Sequence, residues 1–114
     1  MSDNEIKKAD KLLKRKEFLR LSRNGKQVRD RHFIIRFALN DVERSRLGIT
    51  VTKKVGNAVI RNRLKRFVRE YFRLNRHRME NYLDLVIIAK RPAAELNSNQ
   101  AFNLLAKLSD NLIG

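Results

Sequence analysis

The chain has 114 residues and carries 27 Lys and Arg against 12 Asp and Glu, which gives a formal net charge of +15. It contains no Cys and two His, so disulfides and thiol chemistry are excluded and a zinc site built on imidazole is disfavoured. No apolar run approaches the ~18 residues of a membrane span, and the first 16 residues lack the apolar segment of a signal peptide. We therefore expect a cytoplasmic protein that does not enter a membrane.

The beginning of the chain predicts a tail followed by a short helix. Residues 1–12 are polar without a clean period, which favours a flexible tail, and residues 13–114 make one domain. A helix is predicted over residues 14–23, with Phe18, Leu19 and Leu21 as its apolar contacts and Asn24-Gly25 as its stop.

Two alternating stretches then predict strands over residues 32–39 and 46–52, paired antiparallel through a polar loop. Period-two alternation assigns the inward side chains to Phe33, Ile35, Phe37 and Leu39 in the first strand and to Leu47, Ile49 and Val51 in the second. The opposite face then holds Ile34, Arg36, Gly48, Thr50 and Thr52.

Helical periodicity runs from residue 58 to residue 76. One arc of this helix is apolar and is assigned to Ile60, Leu64, Phe67, Val68, Tyr71 and Leu74. The opposite arc is assigned to Arg61, Lys65, Arg66, Arg69, Arg73 and Arg76.

Residues 84–89 are predicted to form an interior strand that ends before Pro92. A last helix over residues 99–112, capped by Asn97 or Ser98, has the core stripe Phe102, Leu105, Leu108 and Leu112. Together the elements predict an α+β fold, a two-layer α-β sandwich with about four strands and helices on one side.

The positive charge is concentrated in the middle of the chain. Residues 44–78 carry 12 basic side chains and one acidic side chain, Glu70, a net charge of +11. Such a block repels itself unless an anion neutralises it, so nucleic acid is the favoured partner over a merely solvated face. A membrane surface is disfavoured because the apolar face of the basic helix is needed for the core.

The segment from Lys53 to Arg73 carries the chemistry that suits a phosphate backbone. Guanidinium groups offer forked donors that match phosphate oxygens, and a helix repeats them every three or four residues. A Gly56-Asn57 turn at the helix start adds backbone N–H groups and the positive end of the helix dipole. For Asn62 and Arg63, which fall near the edge of the stripe, bonding within the fold is as good an interpretation. The candidates are Lys53, Lys54, Asn57, Arg61, Asn62, Arg63, Lys65, Arg66, Arg69 and Arg73.

The same segment resembles the signature of the bacterial ribonuclease P protein component. The resemblance lies in the Arg-x-Gly-x-x-Val-x-Lys-Lys strand, the Gly-Asn-Ala-Val turn and the Arg-Asn-Arg-x-Lys-Arg-x-x-Arg helix between Arg46 and Arg69. It extends over about residues 13 to 110, with Lys16-Glu17-Phe18, Gly25-Lys26 and Arg91-Pro92 as further matches. It implies a left-handed βαβ crossover through the signature helix, where the general rule favours a right-handed one.

The resemblance also implies a division of labour in the removal of the 5′ leader from precursor tRNA. A catalytic RNA subunit would carry the catalytic groups and require magnesium, while the protein binds no metal or cofactor, supplies no catalytic residue and needs no protein partner. The signature helix would bind the RNA subunit. A cleft between the first helix and the open sheet face would bind the single-stranded leader, at positions that match Phe18, Ser22, Ile34, Arg36 and Thr50.

Two cleft positions depart from the family pattern. Ser22 and Arg36 stand where many relatives carry aromatic residues, which removes two stacking platforms worth ~1 to 3 kcal/mol per base. Arg36 is expected to compensate, because a guanidinium stacks on bases and binds phosphate. The alternatives are a ribosomal or nucleoid-type structural protein that binds nucleic acid and, more weakly, a nuclease that acts without RNA.

Overall fold

The computed structural model describes residues 10–12, 14–79 and 81–113, the last three by their backbone. Three α-helices and four strands follow one another along these residues, and 3₁₀ turns lie at Arg76–Arg78 and Arg91–Glu95. The elements are α1 (Arg15–Asn24), β1 (Lys26–Arg29), β2 (Phe33–Leu39), β3 (Arg46–Thr50), α2 (Ala58–Asn75), β4 (Leu83–Ala89) and α3 (Ser98–Ile113). The predicted α+β class with a four-stranded sheet is confirmed.

The strands form one sheet in the order β1-β2-β4-β3. β2 is antiparallel to β1 and to β4, whereas β3 is parallel to β4. The predicted antiparallel pair of β2 and β3 is therefore wrong, because β4 lies between them. β4 takes this place since both of its faces are apolar and nearly all of it is buried, as a central strand requires. β3, α2 and β4 form a parallel crossover, whose left hand stays a prediction.

Helices cover both faces of the sheet, unequally. α2 and α3 pack on the face that presents Phe33, Ile35 and Ile87, where the main core lies. α1 packs on the opposite face, where Leu21 joins Leu12 and Val86 in a second, smaller cluster. The expectation of helices on one side thus holds for α2 and α3 only. Because α1 is short, it leaves part of the second face uncovered.

Two short segments differ from the sequence-based expectation. β1 was not predicted, because its sequence Lys-Gln-Val-Arg offers one apolar side chain, Val28, which packs against the main core. The predicted tail ends earlier than Leu12, since the Leu12 N–H donates to the Leu47 carbonyl at 3.0 Å and its side chain is buried. Residues 1–9, the rest of that tail, lie outside the described residues.

The helices match their predicted spans with small changes of face. α2 ends at Asn75, and Phe72 is buried in it while Leu74 is exposed, because Phe72 lies beside Val68 on the helix. Leu19 and Leu39 are exposed as well, Leu19 because α1 turns Leu21 to the sheet and Leu39 because it ends its strand.

The beginning of α3 is capped as predicted. The Asn97 Oδ1 atom accepts from the Gln100 N–H at 2.9 Å, and the Gln100 Oε1 atom accepts from the Asn97 N–H at 3.0 Å. This reciprocal pair is a capping box. Of the predicted core stripe of α3, Leu105 and Leu108 are buried and Phe102 packs against the core; the side chain of Leu112 lies outside the described residues.

Candidate nucleic-acid interface

The signature helix begins at a capped turn. The Asn57 Oδ1 atom accepts from the Ile60 N–H at 3.0 Å, which fixes the first turn of α2. The Asn57 side chain therefore serves as the N-cap of α2. Lys53 and Lys54 precede it in an exposed turn, with their charges open to solvent.

Three cations lie one turn apart along the side of α2 that adjoins β3. We call Arg61, Lys65 and Arg69 the α2 stripe. Lys65 and Arg69 border a groove with Gly48 of β3, and Arg61 is half-buried with its Nε atom enclosed and lacking a hydrogen-bond partner. Within the described residues, no ion pair involves these three side chains. The stripe therefore borders the sheet, rather than lying opposite the core as the helical periodicity predicted.

Asn62 and Arg66 lie on the outer side of α2. Both are exposed, and the Arg66 guanidinium carbon lies 5.9 Å from the centroid of the Phe67 ring. That contact is a cation–π interaction within the helix, and it leaves the guanidinium edge open to a ligand.

Two of the predicted binding arginines of α2 donate hydrogen bonds within the protein. Arg63 Nη2 donates to the Ala94 carbonyl at 2.6 Å and so ties α2 to the 3₁₀ turn at Arg91–Glu95. Arg73 donates to both carboxylate oxygens of Glu70, at 3.3 and 2.8 Å. The hydrogen bond from Arg73 lowers the pKa of Glu70. Of the two interpretations open for Arg63, bonding within the fold is the one that the structure shows.

The second face of the sheet brings together the predicted cleft residues of β2 and β3. Thr50 is paired with Ile88, and Ile88 with Ile34, so these three side chains form a row across three strands. All three are half-buried, and Ile88 packs against the cluster of Leu12, Leu21 and Val86, so the row begins at the edge of the part of the face that α1 covers. Arg36 lies in the next row, and its Nε donates to the Gln27 Oε1 atom at 3.2 Å. We call this surface the open face.

Phe18 stands at the border between α1 and the open face. Its ring lies so close over Gly48 that a Cβ atom at that position would be 2.6 Å from the Phe18 Cζ atom. Gly48 is therefore the residue that lets the ring approach β3. Phe18 is half-buried, so its ring packs partly inside the protein and is partly accessible to a base that stacks on it. Ser22, one turn further along α1, is exposed.

α1 is fixed to the sheet by charged groups that we call the Asp84 network: Glu17, Arg20, Asn40, Arg46 and Asp84. Arg46 donates twice to Asp84, from Nε and Nη2 at 2.8 Å each, and once to Glu17 at 2.8 Å. Arg20 and Asn40 donate to the same Asp84 carboxylate at 2.7 and 2.9 Å. Four hydrogen bonds thus converge on one buried carboxylate, and they join α1 to β3 and β4.

The electrostatics of Asp84 follow from these contacts. Its side chain is 1% exposed. Burial raises its pKa, but the hydrogen bonds from Arg46, Asn40 and Arg20 outweigh burial and hold the pKa below its ordinary value. The Asp84 hydrogen bond likewise raises the pKa of Arg46. Asp84 therefore stays ionised inside the protein, and Asp84 and Glu17 together balance the charges of Arg46 and Arg20.

Sequence reasoning missed several residues of these surfaces. Ile88 shares the open face with Ile34 because the two are paired across β2 and β4, and Gln27 and Arg29 reach it from the unpredicted β1. The alternation within residues 84–89 could have identified Ile88, had β4 been placed beside β2. The Asp84 network carries no comparable signal, because Arg20 and Asp84 are 64 positions apart in the chain.

Two features that the described residues lack bear on the class of protein. Over the described ranges, no group of three or more His, Asp or Glu side chains is arranged to hold a metal ion. None of the helices in that part of the chain combines the length and the apolar character needed to cross a membrane.

Comparison with known proteins places the chain in a family. The Ribonuclease P family model matches residues 6–112. The ribonuclease P protein component of Desulforapulum autotrophicum is 43% identical over 113 residues, covering 99% of this chain and 97% of the relative. That of Desulfatibacillum aliphaticivorans is 50% identical over 105 residues, covering 92% of this chain and 86% of the relative.

Solved structures agree with this result. The Staphylococcus aureus ribonuclease P protein superimposes with a TM-score of 0.87 at 33% identity, covering 94% of this chain and all of the other. The Thermotoga maritima protein gives a TM-score of 0.78 at 33% identity, covering 88% and 96%. The chain therefore belongs to the ribonuclease P protein component family, whose role is that of a protein subunit in tRNA processing.

Proposed function

We propose that this protein binds both the catalytic RNA subunit of ribonuclease P and the 5′ leader of precursor tRNA, and so assists the cut that produces the mature tRNA 5′ end. The RNA subunit supplies the catalytic groups and binds the magnesium that they require. The protein holds substrate and binds no cofactor of its own. The enzyme works in the cytoplasm with precursor tRNA as its substrate.

The observation that carries this proposal is the state of the cations on α2. Arg61, Lys65 and Arg69 have no acidic partner among the described residues, and Arg66 is exposed beside them. Unpaired cations at helical spacing repel one another, so their arrangement is favoured when phosphates neutralise them. Lys53 and Lys54 extend this surface beyond the helix start. A folded RNA backbone, with phosphates along its length, matches such a surface.

The open face supports the second half of the proposal. Ile34, Ile88 and Thr50 form a shallow floor of half-buried side chains, and Phe18 borders it at α1. A single strand presents unpaired bases that stack on aromatic and aliphatic surfaces whatever their sequence. Arg36 adds charge to this floor at a position where many relatives carry an aromatic residue. A site of this composition suits leaders, whose sequences differ from one tRNA gene to another.

In the reaction, the protein acts by binding and orientation. With the leader on the open face and the RNA subunit on α2, the substrate is attached to the enzyme at a second point beyond its tRNA body. Fixing the leader reduces the freedom of the scissile phosphate relative to the RNA active site, which is the entropic part of catalysis. None of the protein's side chains is required to transfer a proton.

Reconstitution tests the proposal. The purified chain is combined with a bacterial ribonuclease P RNA and precursor tRNA, without any other protein, at a magnesium concentration too low for the RNA alone. We expect cleavage at the mature 5′ end only when protein and RNA are both present. Cleavage by the protein alone would instead identify a nuclease. A preference for duplex DNA over precursor tRNA, with no rescue of cleavage, would identify a structural nucleic-acid-binding protein.

A further inference from the structure

The two outer strands of the sheet differ in how their free edges are protected. β1 forms one edge, and three of its four side chains are exposed and polar, two of them positively charged. Charged side chains on an edge strand discourage pairing with another chain. β3 forms the other edge and has one charged residue, Arg46, which is paired with Asp84 and Glu17 inside the protein. β3 therefore lacks the charged edge that protects β1.

A short segment at the beginning of the described chain covers the edge of β3 instead. We call residues 10–12 the edge guard. Lys11 pairs with Leu47 in parallel orientation, and the Leu12 N–H donates to the Leu47 carbonyl at 3.0 Å. In the part of the chain that the structure describes, no other strand or bridge pairs with β3 on this side. The guard thus occupies an edge that a bare outer strand offers to another chain.

The Asp10 carboxylate anchors one end of the edge guard. Asp10 is 4% exposed, and its two carboxylate oxygens pair with Arg44 at 3.2 Å and with Arg76 at 2.7 Å. Arg44 lies just before β3, and Arg76 directly follows α2. One buried carboxylate thus fastens the guard to the start of the edge strand and to the end of the helix.

Leu12 anchors the other end of the edge guard. Its side chain is 4% exposed and packs with Leu21 of α1 and Val86 of β4. Lys11, between the two anchors, is exposed. A single backbone hydrogen bond joins the guard to β3 within the described residues, so the two anchoring side chains do most of the holding. A segment held in this way can open locally while the central strands stay paired.

We propose that the edge guard keeps the free protein monomeric, because it covers the edge of β3 that otherwise pairs with the β3 of a second copy. With the guard open, two such edges can lie side by side in antiparallel orientation and join the two four-stranded sheets into one. This inference goes beyond the proposed function, since it concerns the protein without RNA.

Another β3 is the fitting partner because it is already an extended, ordered strand. An unstructured peptide loses conformational freedom when it is ordered along an edge, and this loss opposes its binding. The β3 of a second copy has no such loss once its own guard has opened. Its five residues also match the first edge in length and are self-complementary about a twofold axis, so pairing ends at two copies.

Cations beside the edge predict how this pairing depends on salt. Lys65 and Arg69 border the same groove as Gly48 of β3, and they have no ion-pair partner among the residues that the structure describes. Two paired edges bring these cations of both copies near one another, where they repel. Added salt screens the repulsion. The dimer should therefore become stronger with salt, whereas an interface held by ion pairs becomes weaker.

The guard controls pairing through the fraction of molecules in which it is open. A partner that binds only the open state binds with an affinity reduced by that fraction. Both copies must open, so the association constant of the dimer rises with the square of the open fraction. A variant whose guard is open about ten times more often should therefore dimerise about one hundred times more strongly.

Three variants of the full chain loosen the guard: Asp10→Asn, Leu12→Ala and the two combined. The matched control combines Asp41→Asn with Leu19→Ala, which are the same substitutions at exposed positions outside the guard. Sedimentation equilibrium of the RNA-free proteins over a concentration series measures dimerisation. Hydrogen exchange of the amide of residue 12 measures guard opening, and exchange of the amides in β2 and β4 checks that the sheet is intact.

We expect the wild type and the control to sediment at the monomer mass of 13.5 kDa, and the combined variant at about twice that mass. The amide of residue 12 should exchange faster in each single variant, and the gain in the dimer association constant should follow the square of that increase. Raising the salt concentration should strengthen the dimer. If the combined variant loses protection in β2 and β4, the two single variants provide the comparison, since each keeps one anchor.

The proposal is overturned if a variant whose residue-12 amide exchanges faster stays monomeric over the whole concentration series. It also fails if the control dimerises as strongly, if that amide exchanges no faster in either single variant, or if the species formed exceed two copies. None of these outcomes bears on RNA binding, so a failure of this inference is distinct from a failure of the proposed function.

Discussion

Two groups of arginines in this protein carry the same guanidinium charge, but one group is paired with acidic side chains and the other is not. Arg20 and Arg46 converge on the buried Asp84 carboxylate, and Arg46 also reaches Glu17. Arg61 and Arg69 of the α2 stripe have no acidic partner among the described residues. The first group holds α1 on the sheet, and the second borders the sheet along α2.

The difference shows why a charge count alone says little about binding. Both groups count equally among the 27 Lys and Arg behind the net charge of +15, yet only unpaired cations gain from meeting a phosphate. Paired arginines would first have to leave a buried carboxylate, which is costly. Function is therefore read from the partners of each cation, and substitutions in the two groups should have contrasting effects.

The largest contrast is expected in stability. Arg46→Ala should reduce the free energy of unfolding by about 3 to 5 kcal/mol, because it leaves the Asp84 carboxylate buried without two of its four hydrogen bonds. Arg73→Ala is the matched control, since its pair with Glu70 is accessible to solvent, with the side chains 30% and 46% exposed, and its loss should change the free energy of unfolding far less. Urea unfolding of the two variants measures both values. Equal losses would mean that burial does not distinguish the two ion pairs.

Lowering the pH should remove the stability that the Asp84 network provides. The pKa of Asp84 is lower in the folded protein than in the unfolded chain, so the unfolded chain binds a proton first. The associated stability is complete above the ordinary carboxyl pKa of about 3.9 and is lost as pH falls through the folded-state value. Asp84→Asn should flatten the decline of unfolding free energy below about pH 5. Glu70→Gln should flatten it less, and a larger effect from Glu70 would contradict this ranking.

Removal of a stripe cation should change binding without changing stability. Arg61→Ala is expected to lower the slope of log affinity for RNA against log salt by about 0.7 to 0.9, or roughly threefold in affinity between 50 and 200 mM salt. The loss should be similar for unrelated RNA sequences, because phosphates carry no sequence. Filter binding over a salt series measures it. A sequence-selective loss with an unchanged slope would show that Arg61 contacts bases.

The smallest effect concerns the free protein. Sulfate or phosphate should raise the melting temperature more than chloride at equal ionic strength, because a divalent anion can neutralise neighbouring stripe cations. The gain is about 0.4 kcal/mol when the anion concentration equals its dissociation constant. Calorimetry of the wild type and of Arg69→Ala separates specific binding from screening. Identical effects of sulfate and chloride would leave only screening.

The sequence predicted those parts of the molecule whose signals are local. α2 was found because Leu64, Val68 and Tyr71 repeat at helical spacing and Asn57 marks the start. The alternation of Ile34 and Arg36 placed both on one face, as the sheet register shows. The α2 stripe was recognised as cationic, although its position beside β3 was not. These features depend on residues a few positions apart.

The rest depends on contacts between distant residues. The place of β4 between β2 and β3 is decided by which strand can be buried on both faces, and local pairing rules favoured a hairpin instead. Asp84 was predicted as the first residue of a strand, but its role comes from Arg46 and Arg20, 38 and 64 positions away. No spacing rule connects such residues. The close approach of the Phe18 ring to Gly48 likewise cannot be derived from spacing in the sequence.

The central position of β4 also sets the order in which the molecule can be assembled during synthesis. α1 leaves the ribosome early, but its anchor, Asp84, follows Arg20 by 64 residues. At ~5 to 20 residues per second, that distance corresponds to roughly 3 to 13 s of translation. Until then β2 and β3 lack the strand that joins them, and α1 has no complete surface on which to dock. The open face, which includes Ile88 of β4, is thus among the last parts of the sheet to form in the nascent chain.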